Sequence, residues 1–353
     1  MDEHRRRNQI FSIIAVACLF LFLLSMHFYA DDYQIRILNN IALFIILAVS
    51  YNLINGVTGQ FSLEPNAFVA IGAYTSALLT LTPAEKQMAF IIEPIIWPLS
   101  VIHVPFFVSL IAAGVVTAFF GFLMGFPVFR VRGDYLAIVT LGFGEVVRVV
   151  ANNTQTITNG PLGLKGLANY TNIWWSWGIA AFTVFYIARL VRSSYGMAMK
   201  AVKYDEAAAE SIGINAFKHK MLAFTTSAFF EGIGGGLLAH LITTISPTLF
   251  TFFLTFNLLI MIVAGGLGSI TGSVIAAVVI TWGGEALRVV EEPINLGFVT
   301  IPGIPGMRMV LFSLILVLVM IFARQGLMGT REFNWNGLFR KIRAWTHRTA
   351  KES

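Results

Sequence analysis

The sequence predicts an all-α, polytopic membrane protein with about ten transmembrane helices and with both termini cytoplasmic. Three observations carry this expectation. The 353 residues are 57% hydrophobic and only 12% charged, with mean hydropathy +0.76, whereas soluble domains carry about 25% charged residues. The apolar residues fall in stretches of about 20, long enough to cross the hydrocarbon as helices. With the N-terminus placed inside, all but six of the 24 lysines and arginines fall on the cytoplasmic side. The six exceptions, Arg36, Lys86, Arg148, Lys165, Arg288 and Arg308, lie outside or near outer helix ends, so the basic residues obey the positive-inside rule. The net charge of +6 is therefore a topology signal and not a nucleic-acid footprint, because the basic residues are spread among loops and tails.

Taken in order, the chain opens with His4-Arg5-Arg6-Arg7 and an apolar run from Ile10 to Tyr29. That run exceeds the apolar region of a usual signal peptide, and Phe28-Tyr29-Ala30 is a poor cleavage site. It is expected to remain as the first span, 10–30. Further spans are expected at 37–56, 61–82, 104–128, 134–152, 173–191, 217–243, 249–268, 270–290 and 307–323. Pro83, Pro94 and Pro98 make 83–103 an external loop with room for a partial helix. Residues 1–332 form one transmembrane domain. In the tail, 333–353, Phe333, Trp335, Leu338, Phe339, Ile342 and Trp345 share a helical face, and Arg340, Lys341 and Arg343 take the rest. That is the pattern of a cytoplasmic, interfacial amphipathic helix.

The cytoplasmic loop 192–216 contains the most distinctive stretch. Asp205 is placed to N-cap a helix, with Glu206 facing its positive end. Ala207, Ala208 and Ala209 are the best helix formers. Gly213, followed by Ile214, ends it, and Asn215 caps the next helix. A short surface helix of about two turns results. It is either an ordinary connection or a docking element for another protein.

Other candidates lie at membrane depth. Gly144-Glu145-Val146-Val147-Arg148-Val149-Val150 resembles Gly284-Glu285-Ala286-Leu287-Arg288-Val289-Val290. In each, Glu and Arg are spaced i, i+3 and can pair on one helix face. Glu145, Arg148, Glu285 and Arg288 are thus structural ion pairs or groups beside a transport path. Glu231, among Gly232, Gly234, Gly235 and Gly236, is a satisfied interior carboxylate or a pathway group. Glycine-rich turns at Asn55–Leu63 and Gly265–Gly272 open two spans, where close packing or a broken helix around a path both fit. His103 and His240 stand alone, so metal binding is not expected. Cys18 is the only cysteine. There is no phosphate-binding Gly-x-x-x-x-Gly-Lys-Ser/Thr loop, and no nucleophile–base constellation of an enzyme.

Several motifs together resemble one family. These are Gly59-Gln60-Phe61-Ser62-Leu63 with Ala67-Phe68 and Gly72-Ala73-Tyr74; Arg132-Gly133-Asp134-Tyr135 through Gly144-Glu145; Asn159-Gly160-Pro161 with Gly163; Asp205-Glu206-Ala207-Ala208-Ala209-Glu210 with Gly213-Ile214; and Gly265-Gly266-Leu267-Gly268-Ser269. They run in order over residues 51–285 and resemble the permease subunits of high-affinity branched-chain amino acid ABC transporters. One departure is Glu64-Pro65-Asn66, where the family commonly has Gly-His-Ala or similar. The resemblance implies a multi-pass permease of the bacterial inner membrane, with Asp205, Glu206, Ala207, Ala208, Gly213 and Ile214 in its ATPase-coupling loop. It further implies a second homologous permease subunit, two ATP-binding subunits that use the ATP, and a periplasmic substrate-binding protein. No cofactor is expected on this chain. The alternatives are an ABC permease for urea or another small polar solute, and an ion-coupled secondary transporter using Glu145, Glu231 or Glu285.

Overall fold

Helices of membrane length dominate the computed structural model, as the apolar runs require. It describes residues 2–131 and 135–291 and, beyond them, 294–295, 300–301, 306–307, 310–311, 313–314, 317, 326–329 and 332. Arg132-Gly133-Asp134, most of the expected span 307–323 and the amphipathic tail 333–353 lie outside the described residues. Residues 1–35 and 331–353 form one unit, and residues 36–330 another. In the first, α1 (Asp2–Tyr29) exposes Leu19, Phe20, Leu21 and Phe22, side chains suited to lipid.

The second unit begins within α2 (Asp32–Asn52), which runs into a π-helical turn, Leu53–Thr58, ended by Gly59 in the left-handed region at φ 69°. A span was expected at 61–82, but α3 is Pro65–Thr80. Two features shorten it. Gly59 turns the chain away, and Pro65, which has no N–H, suits the first helical position. Residues 59–64 are therefore irregular backbone, and side chains satisfy it. Tyr51 Oη donates to Ser62 O at 2.6 Å, Asn55 Oδ1 accepts from Ser62 N at 2.9 Å, and Leu63 N donates to Thr140 Oγ1 at 2.8 Å. Non-helical backbone among spans is tolerated only with such partners.

The loop 83–103 does hold a partial helix, α4 (Pro83–Ala89), started by a reciprocal capping box between Thr82 and Glu85. Lys86 is fully buried and donates from Nζ to Leu99 O at 2.7 Å and Ile102 O at 2.5 Å. It pins the loop back on α4, and burial lowers its basicity from the ordinary lysine value. Next come α5 (Phe106–Val128), α6 (Tyr135–Asn153) and the one-turn α7 (Gln155–Thr158). Asn159 then fixes this corner by donating to Ala89 O at 3.0 Å and Gly163 O at 2.8 Å. Strand β1 (Leu164–Lys165) pairs antiparallel with β2 (Thr244–Ile245), in register Leu164 with Ile245.

After β1, α8 (Ile173–Arg192) is followed by α9 (Ser194–Tyr204), α10 (Glu206–Ser211) and α11 (Ala216–Ile242). The last two helices are α12 (Phe252–Gly265), shorter than the expected 249–268 because a 3₁₀ turn occupies 247–249, and α13 (Ile270–Ala286). A 3₁₀ turn, Leu287–Glu291, replaces the end of the expected 270–290 span. Six segments are long and apolar enough to cross a membrane: Asp32–Thr58, Phe106–Val128, Tyr135–Asn153, Ile173–Arg192, Ala216–Ile242 and Pro247–Gly265. Two shorter apolar helices, Ala17–Tyr29 and Ile270–Ala286, accompany them among the described residues. The chain is thus an all-α, multi-spanning membrane protein.

The core lies where α2, α3, α5 and α11 meet. A Cβ on Gly72 would collide with the carbonyl of Gly232, and one on Gly235 would stand 2.9 Å from Ala73 N. Backbone thus meets backbone between α3 and α11. Without a hydrophobic drive between lipid-bathed helices, this close approach supplies the dispersion contact that holds them. The glycines of Gly232-Ile233-Gly234-Gly235-Gly236 are therefore packing residues.

Candidate functional site

The segment 205–214 is built from two breaks in a helical path. Asp205 has extended backbone at φ −157°, which ends α9, and its Oδ1 accepts from Ala208 N at 2.9 Å to start α10. At the other end Gly213 N donates to Glu210 O and Ile214 N to Ala209 O, both at 3.0 Å. These two bonds, with Gly213 at φ 86°, make a Schellman closure. Ala209 is buried with Val202 and Ala216, and Ile214 packs against them. Ala207, Ala208, Glu210 and Ile212 face outward, Ile212 at 75% exposure. The helix spans 206–211 rather than the full 205–213, since Asp205 and Gly213 are its caps. Glu206 Oε2 meets Lys220 Nζ at 2.7 Å. Its basic partner is thus on α11 of the same chain, and it straps α10 to the membrane helix behind it.

Sequence reasoning missed what lies beneath. The two glycine-rich turns, far apart in sequence, are adjacent in space: a Cβ on Gly56 would collide with Gly268 N. Asn52 Oδ1 accepts from Gly268 N at 2.9 Å, and Asn52 Nδ2 donates to Ser269 O at 3.0 Å. Lys203, at the end of α9, donates from Nζ to Gly56 O at 2.6 Å. Partial burial, and then the charge of Lys200, hold its ammonium below the ordinary lysine range. Only an asparagine inside an apolar run and a lysine two residues before a cap hinted at this, and neither spacing names a partner.

The carboxylates in and between the apolar helices divide into two kinds. Glu145 and Arg148 pair on α6, with Arg148 Nη2 at 2.6 Å and Nε at 2.8 Å from Glu145 Oε2; their side chains remain 39% and 36% exposed. Glu285 and Arg288 pair at 3.3 Å. The matched heptapeptides differ in setting, since the first lies within α6 and the second crosses the end of α13 into a 3₁₀ turn. Glu231 is instead wholly buried. Its Oε1 accepts from Ser227 Oγ at 2.9 Å, and Ser227 Oγ also contacts Ser50 O at 2.7 Å. Glu64 is buried as completely and accepts from Ser62 Oγ. One oxygen on each, Glu64 Oε1 and Glu231 Oε2, has no hydrogen-bond partner. His240 is held between Thr80 Oγ1 at 3.1 Å and Ala168 O at 3.0 Å, as a packed core histidine. Among the described residues no three His, Cys, Asp or Glu side chains gather as metal ligands.

The comparisons with known proteins agree with this architecture. The family described as branched-chain amino acid transport system, permease component, matches residues 33–323. The high-affinity branched-chain amino acid transport system permease protein LivM of Salmonella typhimurium is 32% identical over 320 residues, covering 81% of this chain and 68% of that protein. The LivM protein of Escherichia coli matches to the same extent. No solved structure matches. The match includes both glycine turns and the α9–α11 segment, and the family is one of transport permeases rather than enzymes. The chain therefore belongs to the permease components of branched-chain amino acid transport systems, ABC-type importers of the bacterial inner membrane.

Proposed function

We propose that this permease moves branched-chain or similar aliphatic amino acids inward, and that α10 is the surface on which a separate ATPase subunit acts. The observation that carries the reading is α10 itself. It is a helix of six residues, too short to persist alone in water, yet it is capped at both ends and strapped by Lys220. Its outward face of Ala207, Ala208, Glu210 and Ile212 is small and partly apolar, suited to seating in a cleft. On this reading the chain crosses the membrane ten times with both termini inside. It works with a second homologous permease, two ATP-binding subunits and a periplasmic substrate-binding protein, and ATP binds only to the partners.

The Glu145–Arg148 and Glu285–Arg288 pairs stand beside the path. Half-exposed ion pairs at membrane depth favour a protein partner or a wet cavity over lipid. Glu231, enclosed behind α3, supports the path by fixing Ser227 and Ser50 rather than by touching the solute.

The test is purification of the chain from its native membrane followed by uptake in proteoliposomes. Co-purification of ATPase subunits, with ATP-dependent uptake of a branched-chain amino acid, supports the reading. Proton- or sodium-driven uptake by this chain alone would replace it with a secondary transporter, and uptake of urea would change the solute. Cysteines at Ser194 and Thr346 should be shielded from an impermeant external reagent in intact cells, while one at Lys165 should react. Labelling at Ser194 would overturn the orientation.

A further inference from the structure

Lys203 stands two residues before the N-cap of α10, on the helix that leads into the coupling segment. Its side chain does not serve that segment. Nζ donates to Gly56 O at 2.6 Å, and its stem lies on Gly59, where an added Cβ would come 2.6 Å from Lys203 Cγ. Gly56 belongs to the π-helical turn that ends α2. Carbonyls at such an end lack partners further along, because Gly59 turns the chain left-handed and residues 59–64 are irregular. A cation there donates a hydrogen bond and also meets the negative end of the helix dipole.

The same carbonyl is the contact point of a second break. A Cβ on Gly268 would lie 3.0 Å from Gly56 O and 3.6 Å from Lys203 Nζ. Asn52, one turn before Gly56, clasps Gly268 N and Ser269 O. Ser269 is the N-cap of α13, its Oγ accepting from Gly272 N at 3.0 Å. On the far side of this turn, Leu327 N and Met328 N donate to Ala264 O and Gly265 O at the end of α12. One ammonium from the cytoplasmic α9 thus grips the place where the end of α2, the end of α12 and the start of α13 converge. Glycine at positions 56 and 268 leaves no side chain to block relative sliding of these ends.

We propose that Lys203 is the positioning residue that carries displacement of the α9–α10 segment to the joined breaks at Gly56 and Gly268, so that one docking event resets α2, α12 and α13 together. This rests on the reading of α10 as the ATPase-docking element.

The experiment uses the intact importer, this chain with its partner subunits, in proteoliposomes. Uptake per ATP hydrolysed and ATPase-subunit association are measured for Lys203→Met, Lys203→Arg and Gly213→Val. Lys203→Met should keep association and lower uptake per ATP by about tenfold, the effect of removing one hydrogen bond from a charged group. Lys203→Arg, which keeps a cationic donor of similar reach, should recover to within about threefold. Gly213→Val should instead weaken association. A purely structural lysine would change assembly or melting and leave uptake per ATP unmoved.

Unchanged uptake per ATP in Lys203→Met overturns the inference and leaves the docking reading standing. Normal association in Gly213→Val overturns the docking reading itself. A second measurement does not depend on transport. A cysteine at Gln60, in a Cys18→Ser background, should change its labelling rate when a non-hydrolysable ATP analogue is added to the complex. Lys203→Gln should abolish that response, and an identical response with and without Lys203 overturns the inference.

Discussion

Replacing Gly213 tests the proposed docking role of α10 most directly. Its φ is 86°, and a Cβ built there meets nothing within 4 Å. Any penalty is therefore intrinsic to the backbone and not a collision with a neighbour. For an L-residue in the left-handed region that penalty is roughly 1–2 kcal/mol, least for asparagine, whose short polar side chain tolerates the region. Valine, being β-branched, suffers more than alanine. The strain falls on the Schellman closure, since six residues of helix hold no reserve of their own. A cost of one or two kcal/mol converts to about a 5- to 30-fold smaller population of closed α10. Amide exchange on the purified protein in nanodiscs reads this at the Gly213 and Ile214 amides, which donate to Glu210 O and Ala209 O. Gly213→Ala should lose protection there by that factor, while Gly213→Asn stays near the parent. Equal protection in Gly213→Ala and the parent would refute the argument, as would an asparagine variant as labile as the alanine one.

Three further outcomes are expected. Glu206→Lys sets two ammonium groups against each other at Lys220, and the double variant Glu206→Lys/Lys220→Glu should recover stability. Because Glu206 is 47% exposed on its side chain, a double-mutant cycle in thermal melting should give only about 0.2–1 kcal/mol of coupling; no recovery would dissolve the pair. Exchanging Glu145 and Arg148 should leave uptake largely intact, because the i, i+3 pair re-forms within α6; lost uptake in an assembled complex would make them solute contacts. Gly235→Leu should drive α3 from α11 and destabilise the protein by about 1–3 kcal/mol or more, whereas Gly178→Leu, where a Cβ meets nothing, should melt with the parent; equal melting of both would show that the close approach is dispensable.

Much of this protein was legible in its linear sequence because the information was local. Lipid sets helix length, so apolar runs located the spans at 104–128, 134–152, 173–191 and 217–243 to within two residues of the helices observed. Caps are local as well. Asp205, Gly213 and Asn215 each act on a backbone group within a few residues, and all three do so in the structure. What the tertiary structure alone decided concerns long-range partners. Glu206 meets Lys220, 14 residues on in its own chain, a pairing that no local spacing rule could supply. Glu64 was visible as an unusual residue, but its full burial beside Ser62 follows from how α3 is set against α6 and α12. The sequence offered the two glycine turns only as separate openings of two spans. Their union through Asn52 and Lys203 depends on a fold that brings positions 56 and 268 into contact, and glycine's lack of a side chain permits that contact without specifying it.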